Sequence, residues 1–234
     1  MTISLGMVFL SGAGLLLAVA GIGKLGFGGG IVREEDIVTG LDTVAAADPK
    51  IAAALQRAGS PGPRLRERGY RTLLRTLVGQ QVSVAAAASV WRKLEALLGE
   101  EMPPQALLAA EFDELRACGL SRQKQGYARS LCELVASGEL DLHSLPIDDE
   151  EAIAQLTRIK GIGRWSAEIY LLFAEGRADV WPAGDLAVQA GLAKILALPE
   201  RPSEKATREL AEAWRPHRGA VAILTWHCYN NPAL

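Results

Sequence analysis

Apolar residues recur at steps of three and four along most of the chain from Arg33 onward, and no segment alternates convincingly with the two-residue period of a half-buried strand. The pattern predicts helix after helix. The first covers about 33–46 and the second about 49–58, and Ser60-Pro61-Gly62-Pro63 reads as a loop. Tyr70–Val78 is expected to be a buried helix ending near Gly79-Gln80-Gln81. Ser83 is placed to cap the next helix, which runs to about Leu98. Short helices follow near 105–109 and 111–118, and Ser121 caps another that reaches about Ala136.

Asp148 with Glu151 forms a start signal close to a capping box. The helix behind it turns Ile153, Leu156 and Ile159 inward and delivers the chain to Gly161-Ile162-Gly163. A second helix opens at Arg164, carries Trp165, Ile169 and Leu172 on one stripe and stops at Gly176. Two glycines between the helices allow a tight turn and the close approach of a ligand. The first N–H groups of the Arg164 helix have no helical acceptor, which makes an anion site, and phosphate is the obvious anion. Asp185 opens a further helix to about Leu196. The last two helices cover about 203–214 and 216–228, with Pro216 in a first-turn position.

Composition agrees with this reading. Alanine and leucine dominate, aromatics are few, and β-branched runs are short, so the fold class is all-α. A length of 234 residues allows one large domain or two small ones. The net charge of −2 means that nucleic-acid binding must use a local basic face. Arg158, Lys160 and Arg164 around the hairpin, Arg122 with Lys124, and Arg215, His217 and Arg218 are the candidates. Each set also reads as solvated surface charge. Cys118, Cys132 and Cys228 lie far apart with no CxxC, which excludes a sequence-local zinc or iron–sulfur site, and their odd number argues against a disulfide framework. Reduced thiols in a cytoplasmic protein are expected. His143, His217 and His227 show no metal-ligand spacing.

Residues 1–32 stand apart. No charged side chain occurs in 1–23, a stretch long enough to span a bilayer. No basic residue precedes it, as a signal peptide would require. Gly21 to Gly26 matches G-x-G-x-x-G, but Phe27-Gly28-Gly29-Gly30 breaks the helix which that motif needs. The expectation is an apolar, Gly-rich extension outside the fold, with a membrane anchor as the alternative.

Four stretches together resemble a known family: LVGQQVSVAAAASVW (77–91), GLSRQKQGYARSLCELV (119–135), the hairpin-to-aspartate segment (156–185) and AWRPHRGAVAILTW (213–226). The chain resembles the helix-hairpin-helix DNA glycosylase superfamily. The likeness is greatest to its 3-methyladenine DNA glycosylase II branch, in a short form without the N-terminal β-rich domain of longer members. The resemblance implies two helical subdomains flanking a cleft. Residues 70–184 would form one and carry the helix-hairpin-helix at about 156–175, and residues 33–69 with 185–234 would form the other. It implies a monofunctional enzyme that hydrolyses the N-glycosidic bond of alkylated purines, 3-methyladenine or 7-methylguanine, in duplex DNA. A glycosylase for deaminated or oxidised bases, and a non-catalytic DNA-binding module, are the alternatives. The implied partner is damaged double-stranded DNA, met by a monomer with no obligate protein partner.

The resemblance also distributes roles. Asp185 takes the catalytic position, where an ionised carboxylate stabilises positive charge on the sugar; it is equally a good helix N-cap. Trp165 and Trp226 match pocket tryptophans, with Trp181 a third candidate, and an indole face attracts a cationic base. Trp91 and Trp214 are expected in the core. Trp165 stands where bifunctional relatives carry a nucleophilic lysine, so hydrolysis by water is expected instead of a Schiff-base step. Ile169 stands where the branch has a tyrosine, with Tyr170 next to it. Gln81, or its neighbour Gln80, would fill the gap left by a flipped base. The N–H groups of Gly161 and Gly163, with Arg164 and Ser166, would hold phosphate. The carbonyls of Thr157, Ile159 and Gly161 match those that hold a monovalent cation in relatives. No cofactor is required and no iron–sulfur cluster is expected.

Overall fold

The computed structural model describes residues 34–62 and 66–231. The apolar extension, its G-x-G-x-x-G match and the anchor alternative lie outside the described residues. Among the described residues every regular element is helical. In chain order these are α1 (Glu34–Ala47), α2 (Pro49–Ala58), α3 (Tyr70–Gly79), α4 (Val84–Leu98), α5 (Pro104–Ala109), α6 (Phe112–Ala117) and α7 (Arg122–Ala136). Then follow α8 (Asp149–Leu156), α9 (Arg164–Phe173), α10 (Leu186–Leu196), α11 (Glu204–Ala211), a 3₁₀ turn (Glu212–Trp214) and α12 (Arg218–Asn230). No helix of the described residues is long and apolar enough to cross a membrane.

Capping residues set most of these boundaries. The side chains of Ser83, Ser121, Asp148, Asp185 and Ser203 each accept a first-turn N–H of the helix that follows. Each provides an acceptor that the helical ladder leaves missing. Where the chain departs from its periodicity, a backbone feature explains it. The second hairpin helix stops at Phe173, because Ala174 is its cap and the chain turns at Gly176 with φ 70°. Ile159 lies beyond the end of α8 and is fully buried within the hairpin turn. Pro216 is not in a first turn: α12 begins at Arg218, and Pro216 lies in the connection before it, behind a cis peptide bond.

Helices from the two ends of the chain pack together. α10 lies against α12, and both contact α2, while α1 packs on α2 and α12. From Gly219 to Trp226 every residue of α12 is buried, as a helix surrounded by others requires. Polar ties reinforce this group. The Trp214 indole N–H donates to Asp48 at 3.0 Å, and the Lys50 ammonium to the Leu196 carbonyl at 3.2 Å. The middle of the chain forms a second group in which α3 packs on α4 and α7, and α7 on α5. Residues 66–69 staple the start of this group to α9. The Arg66 N–H donates to the Phe173 carbonyl at 3.1 Å, and the Gly69 N–H to the buried Tyr170 hydroxyl at 2.8 Å. Tyr170 is therefore committed to the fold.

The approach of α10 to α12 depends on one residue. A Cβ at Gly191 would overlap the backbone of Thr225, immediately before Trp226. Gly191→Ala is expected to lower unfolding stability by about 1–3 kcal/mol, the usual cost of overpacking a core. Gly126, exposed within α7, has nothing within 4 Å of its Cβ position. Gly126→Ala should raise stability by about 0.5–1 kcal/mol through helix propensity. Paired urea titrations of the two variants measure both effects.

Candidate active site

α8, the Gly161–Gly163 turn and α9 form a helix-hairpin-helix. The first intrahelical bond of α9 runs from the Ala167 N–H to the Gly163 carbonyl, and no side chain caps the helix. The N–H groups of Arg164, Trp165 and Ser166 therefore precede the ladder, in the arrangement that accepts an anion. The two glycines do different work. Gly161 adopts φ 86°, and a Cβ there would overlap the Tyr127 ring. Gly163 has φ −92°, open to any residue, and its Cβ would meet nothing within 4 Å. The protein itself needs glycine at 161; at 163 the missing side chain leaves the hairpin surface open.

Asp185 is buried, 3 % exposed, at the N-terminus of α10. Its Oδ1 accepts the N–H groups of Ala187 (2.8 Å) and Val188 (2.9 Å) and the indole N–H of Trp226 (3.1 Å). Its Oδ2 accepts the indole N–H of Trp165 at 2.8 Å. Three elements thus converge on one carboxylate. α10 supplies its first-turn N–H groups, α12 brings Trp226 through the Gly191 contact, and α9 brings Trp165 from its first turn. Four N–H donors thus fix the orientation of the carboxylate. Oδ1 is saturated, whereas Oδ2 retains acceptor capacity.

The tryptophans differ in setting. Trp165 is half-buried, while Trp226 is fully buried with its ring tilted on Phe173 at 5.4 Å between centroids. Trp181 is buried too: its indole N–H donates to the Thr207 carbonyl at 3.0 Å and its ring packs edge-on to Trp214. The structure brings Trp165 and Trp226 to Asp185 and holds Trp181 by Thr207. Trp91 and Trp214 are in the core, as expected.

Of the basic candidates, most are already engaged. Arg164 donates to both carboxylate oxygens of Glu150 and, through Nε, to Glu168 at 2.9 Å. Glu168, 2 % exposed, also accepts from Arg208 at 3.2 Å. Burial pushes the Glu168 carboxyl above the usual range, and Arg208 and Arg164 oppose that shift. Glu150 is held below the usual range by its Arg164 hydrogen bonds. Arg158 pairs with Glu139, and Arg215 and Arg218 pair with Asp179 and Glu212. Lys160 and Arg122 are exposed. Sequence reasoning named Arg164 and Asp185 but not Glu150, Glu168 or Arg208; the i,i+4 spacing of Arg164 and Glu168 was the available signal.

Gln80 and Gln81 separate clearly. The Gln80 side-chain amide donates to the Gly161 carbonyl at 2.8 Å. Gln81 is exposed at the tip of the turn, with a left-handed φ of 55°. Of the three carbonyls matched to a cation site, Ile159 accepts the Ile162 N–H and Gly161 accepts Gln80. The set is only partly open. Among the described residues no group of three or more His, Cys, Asp or Glu side chains is arranged to hold a metal.

An uncapped helix-hairpin-helix beside a buried, N-capping carboxylate, in an all-helical frame, defines a protein of the DNA-glycosylase type. Residues 74–216 match the family model of the HhH-GPD superfamily base excision DNA repair proteins, and the chain belongs to that family. It is 32% identical over 161 residues to DNA-3-methyladenine glycosylase 1 of Schizosaccharomyces pombe, covering 67% of this chain and 71% of that one. Its fold matches the crystal structure of a Bacillus halodurans DNA-3-methyladenine glycosidase with TM-score 0.75 and 30% identity, covering 82% and 89% of the two chains. It matches the S. pombe 3-methyladenine DNA glycosylase in complex with abasic DNA with TM-score 0.70 and 28% identity, covering 84% and 98%.

The glycine contrast is testable. Gly161→Ala should lower unfolding stability by about 2 kcal/mol or more, from positive φ and overlap with Tyr127. Gly163→Ala should cost at most about 1 kcal/mol, as a poorer cap. Gly163→Val should weaken binding to every duplex alike, since phosphate contacts carry no sequence information. Thermal unfolding and fluorescence-anisotropy titration with unrelated duplexes give both readouts.

Proposed function

We propose that this protein is a monofunctional DNA-3-methyladenine glycosylase that removes alkylated purines from duplex DNA in base excision repair. The observation that carries the reading is Asp185, buried and held by four N–H groups beside the open start of the hairpin helix. Relatives named for 3-methyladenine support the substrate class.

The glycosidic bond of a stacked nucleotide is out of reach, so the nucleotide must leave the stack. The hairpin grips a backbone phosphate through main-chain N–H groups at Gly161, Gly163 and the first turn of α9, which includes Ser166. With its guanidinium held by Glu150 and Glu168, Arg164 contributes its N–H. Gln81 enters the gap left by the base. Trp165 offers its half-buried indole face to the cationic base. Trp226 and Trp181 serve differently: the first holds Asp185, and the second packs the core. The two helix groups, α1 and α2 with α10 to α12, and α3 to α9, form the walls of the cleft.

As the bond between C1′ and the base breaks, its electron pair passes to the base and neutralises the positive charge of the alkylated ring. Positive charge develops on the sugar, and Oδ2 of Asp185, the oxygen with acceptor capacity, stabilises it. Water adds to C1′, and Asp185 orients it or accepts its proton. Residue 165 carries no amine, so the chain supplies no Schiff-base nucleophile at that place. One chain contains carboxylate, hairpin and turn, which supports action as a monomer.

Single-turnover excision tests the reading, using duplexes with one 7-methylguanine, one stable 3-methyladenine analogue or one hypoxanthine. Release of the alkylated bases is expected, and Asp185→Asn should slow it by about 10²–10³-fold or more. Asparagine remains a good cap, but its amide opposes one indole N–H, so about 1–3 kcal/mol of stability should be lost. Binding to lesion duplexes should stay within several-fold. Tight binding by the wild type with no release from any duplex would overturn the assignment.

A further inference from the structure

The turn between α3 and α4 is strained at its tip and fixed on both flanks. Gln81 holds φ 55°, a conformation that a non-glycine residue adopts only when its surroundings enforce it. On one side the Lys124 ammonium of α7 donates to the Val78 carbonyl at 2.7 Å, closing the end of α3. On the other, Ser83 caps α4 through the Ala86 N–H at 3.2 Å. Between them the half-buried Gln80 reaches across to the hairpin and donates to the Gly161 carbonyl at 2.8 Å. Gly161 is itself fixed, being pressed on Tyr127 with a backbone that only glycine tolerates. The exposed segment at the tip, Gln81 to Ala86, includes two partly exposed valines, Val82 and Val84.

We propose that Gln80 is a positioning residue that welds the tip of this turn to the phosphate-gripping hairpin. The proposal rests on the glycosylase reading, in which Gln81 enters the duplex. In this arrangement Gln80 never enters the DNA. Its amide fixes the distance between the point that holds the backbone and the point that fills the gap. A hairpin seated on a phosphate thereby carries Gln81 to a set depth beside the same nucleotide. Both segments rest on α7, through Lys124 and Tyr127, but among the described residues Gln80 makes the direct side-chain hydrogen bond between them, so its loss should loosen the tip relative to the hairpin.

The test uses the full chain and four variants: Gln80→Met, which keeps the length and loses the donor; Gln80→Ala; Gln81→Ala; and the double variant Gln80→Met/Gln81→Ala. Duplexes carry a lesion analogue flanked by 2-aminopurine, whose fluorescence rises on unstacking. Single-turnover excision is measured in parallel. Gln80→Met and Gln80→Ala should lose most of the fluorescence rise and slow excision by about 10–100-fold, the scale of a small misplacement. Affinity for undamaged duplex should stay within about threefold, because the phosphate-binding N–H groups are untouched. The double variant should be no worse than Gln81→Ala, since Gln80 acts only through Gln81. Hydrogen exchange without DNA should quicken at 80–83 and 161–163 together in both Gln80 variants.

Full fluorescence and rate in the Gln80 variants would overturn the proposal. So would a multiplicative loss in the double variant, which would mean that Gln80 acts on its own, or unchanged exchange at both segments. A loss that merely tracks the unfolding midpoint across the variants would mark Gln80 as structural and overturn it too. If the wild type excises no lesion, the glycosylase reading falls, while the exchange measurement still decides whether Gln80 joins turn to hairpin.

Discussion

A carboxylate removed from water must find its hydrogen bonds in the protein. Asp185 meets that constraint with four N–H groups from three helices, and the arrangement of the rest follows from it. The backbone donors require α10 to begin at residue 186. The Trp226 donor requires α12 to lie on α10 closely enough for Gly191 to meet the Thr225 carbonyl. The Trp165 donor requires the hairpin helix to start beside α10. The elements that bind DNA in the proposed function are thereby fixed relative to the elements that hold the carboxylate. The same atoms cap a helix and present an open oxygen, so the group that is reactive in the proposed function also stabilises the fold.

A second constraint is charge. The chain has more acids than bases, yet its proposed partner is a polyanion. Local basic patches are the usual answer. Here several arginines near the hairpin and α12 are internally paired: Arg164 with Glu150 and Glu168, Arg158 with Glu139, and Arg215 and Arg218 with Asp179 and Glu212. Such pairs orient elements more than they attract ligands. Glu168 lies between Arg164 of α9 and Arg208 of α11, so it ties the hairpin helix to the helix beyond Asp185. Attraction then falls to main-chain N–H groups and to exposed cations such as Lys160.

Much of this was legible in the chain because it is local. Helix starts were read from Ser83, Ser121, Asp148 and Asp185, side chains that bond two or three residues ahead. The hairpin glycines and Asp185 were visible as a pattern of residue types. The long-range contacts were not legible. No periodicity reveals that Gln80 bonds Gly161, that Trp226 gives its N–H to Asp185, or that Tyr170 spends its hydroxyl on Gly69. A buried indole or phenol must find a partner, but the rule does not say which one. Pro216 was misplaced for a related reason: its ring suits a first turn, but the pairing of Arg218 with Asp179 and Glu212 accompanies a helix that begins two residues later.

Three glycines draw these points together, because each is required by a different agent. Gly161 is demanded by its own backbone and by the Tyr127 ring. Gly191 is demanded by a neighbouring helix, and through it by the position of Trp226. Gly163 is demanded by neither: its dihedrals suit any residue and the space at its Cβ is open. The fold leaves this residue free, at the mouth of an uncapped helix. In the proposed function, tolerance at 163 is set by how closely a phosphate must approach, whereas tolerance at 161 and 191 is set by folding. The fold leaves the hairpin surface at 163 open, and it holds the carboxylate behind it from within.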